Sequence, residues 1–230
     1  NMIYNYIYDV FDRSFIYDNY GCRKLKGTHK ASARLQNFMR KHSGDKYYLQ
    51  LDIRKYYYNI NHNILRNFIS KIIKDERIVN LIMLFVDTVK GIGLFVGNVL
   101  SQLFGLIYLS PLDHFIKRFL KIKHYIRYVD DFVLVGLEKS EAHILKSKIE
   151  SFLKDNLNLE LSKFRIAKIK QGCNFVGFRT WKRVKFIRKH TLHNFSKAVK
   201  LQKEASIISI LGHAKHSSSH KYLISKIGAA

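Results

Sequence analysis

The chain has little cysteine, proline or acid: two cysteines (Cys22 and Cys173), one proline (Pro111), and 17 Asp and Glu against 41 Lys and Arg in 230 residues. Two distant cysteines with no CxxC spacing exclude a disulfide framework and a cysteine zinc site. A reducing, cytoplasmic setting is therefore expected, in a bacterial cell. No internal repeat or low-complexity linker is present, which argues against a solenoid or a tethered array. The most apolar stretch, GIGLFVGNVLSQLFGLIYL, is interrupted by Asn98, Ser101 and Gln102. It reads as too short and too polar for a span of about 20 apolar residues, and no membrane partner is expected. No signal peptide is read either. The shortage of acids leaves a net charge of +24. That exceeds what solubility needs and points to a polyanion, nucleic acid first and an acidic membrane surface second.

What is present is globular: 47% apolar and 13% aromatic residues, enough for one substantial core. The basic excess is uneven, with 16 Lys or Arg and the single acid Glu204 after Leu161. The last third is thus the expected electrostatic footprint. The opening Asn1-Met2 runs directly into YNYIYDVF, as though the chain is entered mid-domain, without an N-terminal segment.

Helical patterns are read at 5–15, at 31–42, after a cap at Asn61, across ERIVNLIMLFVDTV, through a long helix with a restart or kink at Ser110-Pro111, and from Ser140 to Leu157. YYLQLDI (47–53) alternates as a strand does, and YIRYV with FVLVGL reads as a hairpin. Short strands are expected at LELS, FRIAKI, CNFVGFR and RVKFIR, then helices broken around Gly212. Without strict βαβ alternation, the pattern predicts an α+β sheet layered on helices.

Asp130 and Asp131 interrupt the apolar hairpin YIRYVDDFVLVG. Adjacent carboxylates repel each other and are costly to desolvate. Alone, the pair reads more readily as a turn, since Asp suits turns. Asp52, closing the YYLQLDI strand, reads alone as a cap or strand end. Together they suggest a divalent-metal site, on the expectation that YYLQLDI lies beside YIRYV at the usual strand spacing of about 4.8 Å. Oxygen-only ligands suit Mg²⁺, with Mn²⁺ as an alternative. Such a pair of ions serves in-line phosphoryl transfer, one activating the attacking hydroxyl and the other steadying pyrophosphate.

These residues resemble the reverse transcriptases over nearly the whole chain. LDIRKYYYNI is similar to the family's first catalytic motif, GLFVGNVLSQLFGLIYLSPLDHFIK to its second, YVDD to its third, and QGCNFVGFR to the primer-contacting strand after the palm. FDRSFIYDNYGCRKLKGTHKA, SPLDHFIK and SIISILGHAKH look most like bacterial retroelement enzymes, diversity-generating retroelements first, group II intron and retron relatives next. The resemblance implies a right-hand polymerase, with partial fingers over 1–46, a palm over 47–188 and a helical thumb over 189–230. It implies catalysis by Asp52, Asp130 and Asp131, with Asp52, Ile53, Asp130 and Asp131 as the metal set and Asp131 in the weaker role.

By the same resemblance, Tyr57 meets the sugar of the incoming nucleotide. Val96 and Gly97 lie beside the new base pair, Gln102 sits on the helix behind, and Lys163 is near the departing phosphate. Arg23, Lys24 and Lys26 are expected to touch template or triphosphate, and Lys182 and Arg183 nucleic acid. The implied partners are an RNA template, a DNA or RNA primer and dNTPs, with a basic accessory protein or structured RNA as a further candidate. Leu94-Phe95 replaces the family's Leu-Pro, which removes proline's rigidity, and the resemblance implies a further fingers segment before Asn1.

Two rival readings are an RNA-dependent RNA polymerase and a non-catalytic RNA-binding maturase or accessory protein. Tyr57 counts against the first, because those enzymes usually carry an acid there. An intact carboxylate set counts against the second. His213, His216 and His220 have helical spacing and could hold a metal, though a phosphate-facing helix needs none. Tyr56, Tyr57, Tyr58 and Trp181 fit base stacking or plain packing.

Overall fold

In a computed structural model, which describes residues 2–227, helices and antiparallel strands form an α+β fold. The outer limits of the expected fingers and thumb, residues 1 and 230, lie outside the described residues. In chain order the elements are α1 (Met2–Asp12), α2 (Thr28–Arg40), β1 (Tyr47–Ile53), α3 (His62–Ile72), α4 (Glu76–Val86), α5 (Val99–His114), β2 (Tyr125–Tyr128) and β3 (Asp131–Leu137). Then follow α6 (Lys139–Leu157), β4 (Leu161–Lys168), β5 (Cys173–Phe175), β6 (Phe178–Thr180), β7 (Lys185–Ile187), α7 (Lys189–Lys200), α8 (Glu204–Ala214) and α9 (His220–Ile227).

A four-stranded antiparallel sheet has the order β2-β3-β1-β4. The period of two sorts β1 between two cores. Leu49, Leu51 and Ile53 enter the larger one with Phe132, Leu134 and the apolar residues of α1 and α3–α6. Tyr48 faces the other way and packs with Val133, Val135, α2 and β5. A three-stranded sheet, β5-β6-β7, leads into a third core of Phe178, Ile187, Phe195, Ala214 and Leu223, which joins α7–α9.

Several expectations change. Strand β1 pairs with β3 and β4, while β2 lies beyond β3, so YYLQLDI is not beside YIRYV. LELS and FRIAKI merge into one strand, and CNFVGFR splits into a hairpin because Val176 and Gly177 both have positive φ. Pro111 lies inside α5, and the helix runs on into a π turn over Phe115–Phe119. The Val99–Phe119 helix is long and apolar enough to cross a membrane, and most of it is buried in the protein's own core. Helix α6 is capped by Glu138 and Glu141 in a reciprocal box instead of by Ser140. Gly212 is internal to α8, and the break comes at Lys215–Ser219. The Asn61 cap is present, its side chain accepting from the Ile64 amide at 3.1 Å.

Beside Phe38 of α2, His42 Nε2 and His124 Nδ1 lie 2.6 Å apart. Burial, then the charge of His42 and nearby cations, pushes His124 down to about 4. An unfolded histidine titrates near 6.5. A base with a lowered folded pKa contributes stability above the unfolded value and loses it as pH falls toward the folded one. The melting temperature is therefore expected to drop between pH 6.5 and 4, and His124→Phe to flatten that drop in a calorimetric pH series. An equally steep series in the variant would assign the acid sensitivity elsewhere.

Candidate active site

The site is built on one face of the sheet, where β1 and β3 bring acids together. Asp52 is directly opposite Asp131 on one side and Lys163 on the other. Asp130 occupies the turn between β2 and β3, after Val129 at φ 57°. A positive φ is costly for a β-branched residue, so something must hold this turn. Two contacts do so. Arg127 Nη1 donates to the Val129 carbonyl at 2.7 Å. From the other side the Gly21 loop presses on the turn so closely that a Cβ on Gly21 would lie 2.6 Å from the Val129 nitrogen.

Arg127 is itself fully buried and paired with Asp113 of α5, 2.5 Å from Nη2 to Oδ2, while Tyr125 Oη donates to Asp113 Oδ1 at 2.6 Å. Burial works against the guanidinium's charge, yet the Asp113 carboxylate more than offsets it and holds the arginine protonated.

The acids are strained electrostatically. Burial first, then the charge of Asp52, raises Asp130 above the usual carboxylate range. Asp131 is pushed up to about 7 by burial and the Asp52 charge, against the Gln50 hydrogen bond that pulls it down. Ser162 Oγ donates to Asp52 Oδ2 at 2.5 Å. A cation at this face would relieve the repulsion that raises Asp130 and Asp131. Among the described residues no three His, Cys, Asp or Glu side chains converge into a complete cage. That donor set still fits Mg²⁺, which is ordinarily held by one or two carboxylates and completed by waters and substrate phosphates. Ile53 has its side chain in the core, 2% exposed, so only its backbone faces the site.

A cleft of about 500 Å³ is lined by Asp52, Ile53, Tyr57, Val96, Asp130 and Lys163 together with Ser162 and the turn after β1. Six of the residues to which the resemblance gives a catalytic, metal or nucleotide role thus meet. Asp131 lines the adjoining cavity with Gln50, Asn174 and Arg188, and the two spaces share Asp52 and Lys163. Tyr57 is half-buried, its ring lying where a Cβ on Gly105 would come within 3.0 Å. Its carbonyl accepts from the Leu94 amide at 2.7 Å, and His62 Nε2 lies 2.7 Å from the Gly93 carbonyl. These bonds pin the glycine-rich loop where proline is missing. Gly97, exposed at φ 109°, has open space where a Cβ would be, next to Val96. Gln102 is half-buried on α5 and does not line the cleft.

Arg23 requires correction. Its side chain is 8% exposed and spends its donors on Asp12, Ile16 and Asn19, so it braces the loop and does not line the cleft. Lys24 lies over Tyr8 and Lys26 over Tyr17, and neither lines the cleft. Lys182 and Arg183 sit on the β6–β7 turn, away from the cleft, and form no ion pair among the described residues. Trp181 packs over Gly172 and beside Phe186, with Arg179 on its ring. Tyr56 is buried and bonds the Gly105 carbonyl, whereas Tyr58 is exposed. The proposed histidine set is not on one helix: His213 is in α8, His216 in the following turn, and His220 opens α9. His213 and His216 instead pack on His29.

Sequence reasoning overlooked Gln50, Arg127, Asp113 and Ser162. The alternation of YYLQLDI already puts Gln50 on the face of Asp52, which is the signal that could have found it.

An antiparallel sheet with paired acids at a turn, set among helices, defines a polymerase palm. The reverse transcriptase (RNA-dependent DNA polymerase) family model matches residues 1–180. The chain belongs to this family. Among solved structures, apo telomerase from Candida tropicalis truncated from its C-terminal domain is similar at TM-score 0.65 and 17% identity, over 81% of this chain and 45% of that one. Telomerase from Candida albicans in complex with a TWJ fragment of telomeric RNA is similar at TM-score 0.59 and 13% identity, over 87% and 42%. The corresponding Candida tropicalis complex gives 0.62 and 13%, over 97% and 47%. At such identities the likeness is one of fold, and this chain spans less than half the length of those chains. No curated protein matches.

Proposed function

We propose that the chain carries out RNA-templated DNA synthesis, extending a DNA or RNA primer with dNTPs, as a reverse transcriptase of bacterial retroelement type. The observation that carries this reading is the cross-strand pairing of Asp52 with Asp131, with Asp130 in the same cleft as Tyr57 and Lys163. Fingers over 1–46, a palm over 47–188 and a thumb over 189–230 are the corresponding division. The bacterial subtype is supported by the segments FDRSFIYDNYGCRKLKGTHKA and SIISILGHAKH. RNA is bound in the two telomerase complexes, which favours an RNA template here.

Asp52 and Asp130 would hold Mg²⁺, with Asp131 beside them and the Ile53 carbonyl as a further oxygen. Bound there, the metal supplies charge to activate the primer hydroxyl and steady the leaving pyrophosphate. Tyr57 would lie against the sugar, Val96 and Gly97 against the new base pair, and Lys163 would neutralise the departing phosphate. A homopolymer-primed extension assay with Mg²⁺ is expected to incorporate deoxynucleotides far better than ribonucleotides. Equal or preferred ribonucleotide use would favour an RNA polymerase, and no extension a binding protein.

Sugar choice follows from Tyr57. The two nucleotides differ by one hydroxyl, and an aromatic ring beneath the sugar leaves that oxygen neither room nor solvation. Tyr57→Val is expected to raise ribonucleotide kcat/KM relative to deoxynucleotide. Because the ring also packs on Gly105, the variant should lose about 2–4 kcal/mol of stability. A constant ratio with both rates lowered would leave Tyr57 a packing residue only.

The basic residues after Leu161 would carry duplex affinity by neutralising phosphates. Truncation at 189 is a poor test, since Phe195 and Leu223 cover Phe178 and Ile187. Replacing Lys189, Lys197, Lys200 and Lys203 with Gln should instead flatten the slope of log affinity against log salt, because every phosphate that a lysine neutralises accounts for about 0.9 of that slope. An unchanged slope would give these lysines another role.

A further inference from the structure

Gln50 lies two residues before Asp52 on the same face of β1. Its Nε2 is 2.9 Å from Asp131 Oδ1 and 2.8 Å from the Asn174 carbonyl of β5, and Cys173 Sγ is 3.6 Å from its Oε1. An amide nitrogen carries two hydrogens; the Asn174 carbonyl is a pure acceptor, and so is the Asp131 carboxylate in the ionised form that would meet a cation. The chemistry therefore fixes the amide orientation: the opposite flip would set Oε1 against a carboxylate and a carbonyl. Asp131 and Asn174 belong to separate sheets with no backbone ladder between them.

We propose that Gln50 is a positioning residue, which orients the Asp131 carboxylate for a divalent cation by tying it to the β5–β6 hairpin. The inference rests on the metal role given to the aspartates above. Among uncharged side chains of this length only the amide supplies two donors. Glutamate would add a negative charge facing Asp131, and methionine or leucine would fill the space without donating. A side chain that orients a ligating carboxylate typically changes metal affinity by about 10–100-fold when removed. Nearby Tyr48 provides an internal comparison. From the same strand its Oη donates to the Gly172 carbonyl at 3.1 Å, which tethers the same hairpin without touching Asp131.

The test is Mn²⁺ binding to the full chain, read as loss of the free-ion signal in electron paramagnetic resonance, with thermal unfolding alongside. Gln50→Met, and Gln50→Leu as a second apolar variant, should weaken Mn²⁺ binding about tenfold or more. Tyr48→Phe should remain within about twofold of wild type. Wild-type affinity in either folded Gln50 variant, or an equal loss in Tyr48→Phe, would overturn the inference alone. Wild-type protein that takes up no Mn²⁺, or the same amount with Asp52→Asn, would overturn the metal reading and the inference with it.

Discussion

Asp130→Asn is expected to lower primer extension by more than about a thousandfold, about 4 kcal/mol of barrier, with the melting temperature unchanged or higher. The two halves of that result have one cause. Burial and the Asp52 charge raise Asp130 above its ordinary range, so in the metal-free protein its ionised form is a cost to the fold. Asparagine keeps the shape and removes the repulsion, but it is a far weaker ligand for a hard cation. A residue placed there for stability would behave oppositely, losing melting temperature and little activity. Extension within about tenfold of wild type would refute the assignment. Asp52→Asn should lose extension similarly, and its hydrogen bond from Ser162 can survive because an amide oxygen also accepts.

The second large effect is expected behind the turn. Asp113→Ala leaves the buried Arg127 guanidinium without its carboxylate. Breaking a buried pair by removing one partner typically costs about 3–5 kcal/mol, and Tyr125 loses its acceptor at the same time. The denaturation midpoint should fall accordingly. Replacing the pair together, as Asp113→Leu with Arg127→Met, removes the stranded charge and should recover much of the stability. Extension should not recover with it, since Arg127 also donates to the Val129 carbonyl next to Asp130. Stability and extension returning together would show that the pair serves packing alone.

Much of this protein is legible in local sequence because its signals are local. The period of two in YYLQLDI, the Asn61 cap and the acids of YVDD each act within a few residues, and the structure contains all three features. The same local rules placed β1 beside β2, whereas the order is β2-β3-β1-β4. Hairpin β2–β3 can present either edge to β1, and the packing of distant helices on both faces decides which. The resemblance sets Arg23 against template or triphosphate, but a motif match carries no information on the Asp12 carboxylate and three backbone carbonyls that surround it. Sequence by itself determined the fold class, the charge and the acids, since these follow from residue type and short-range period. Tertiary structure alone decided that Asp52 faces Asp131, that Gln50 bridges two sheets, and that Arg127 and Gly21 hold the Val129 turn. Asp52 and Asp131, Gln50 and Asn174, and Gly21 and Val129 lie far apart along the chain, and only the closing of the core brings them together; Arg127, two residues from Val129, is held in place by Asp113 of α5.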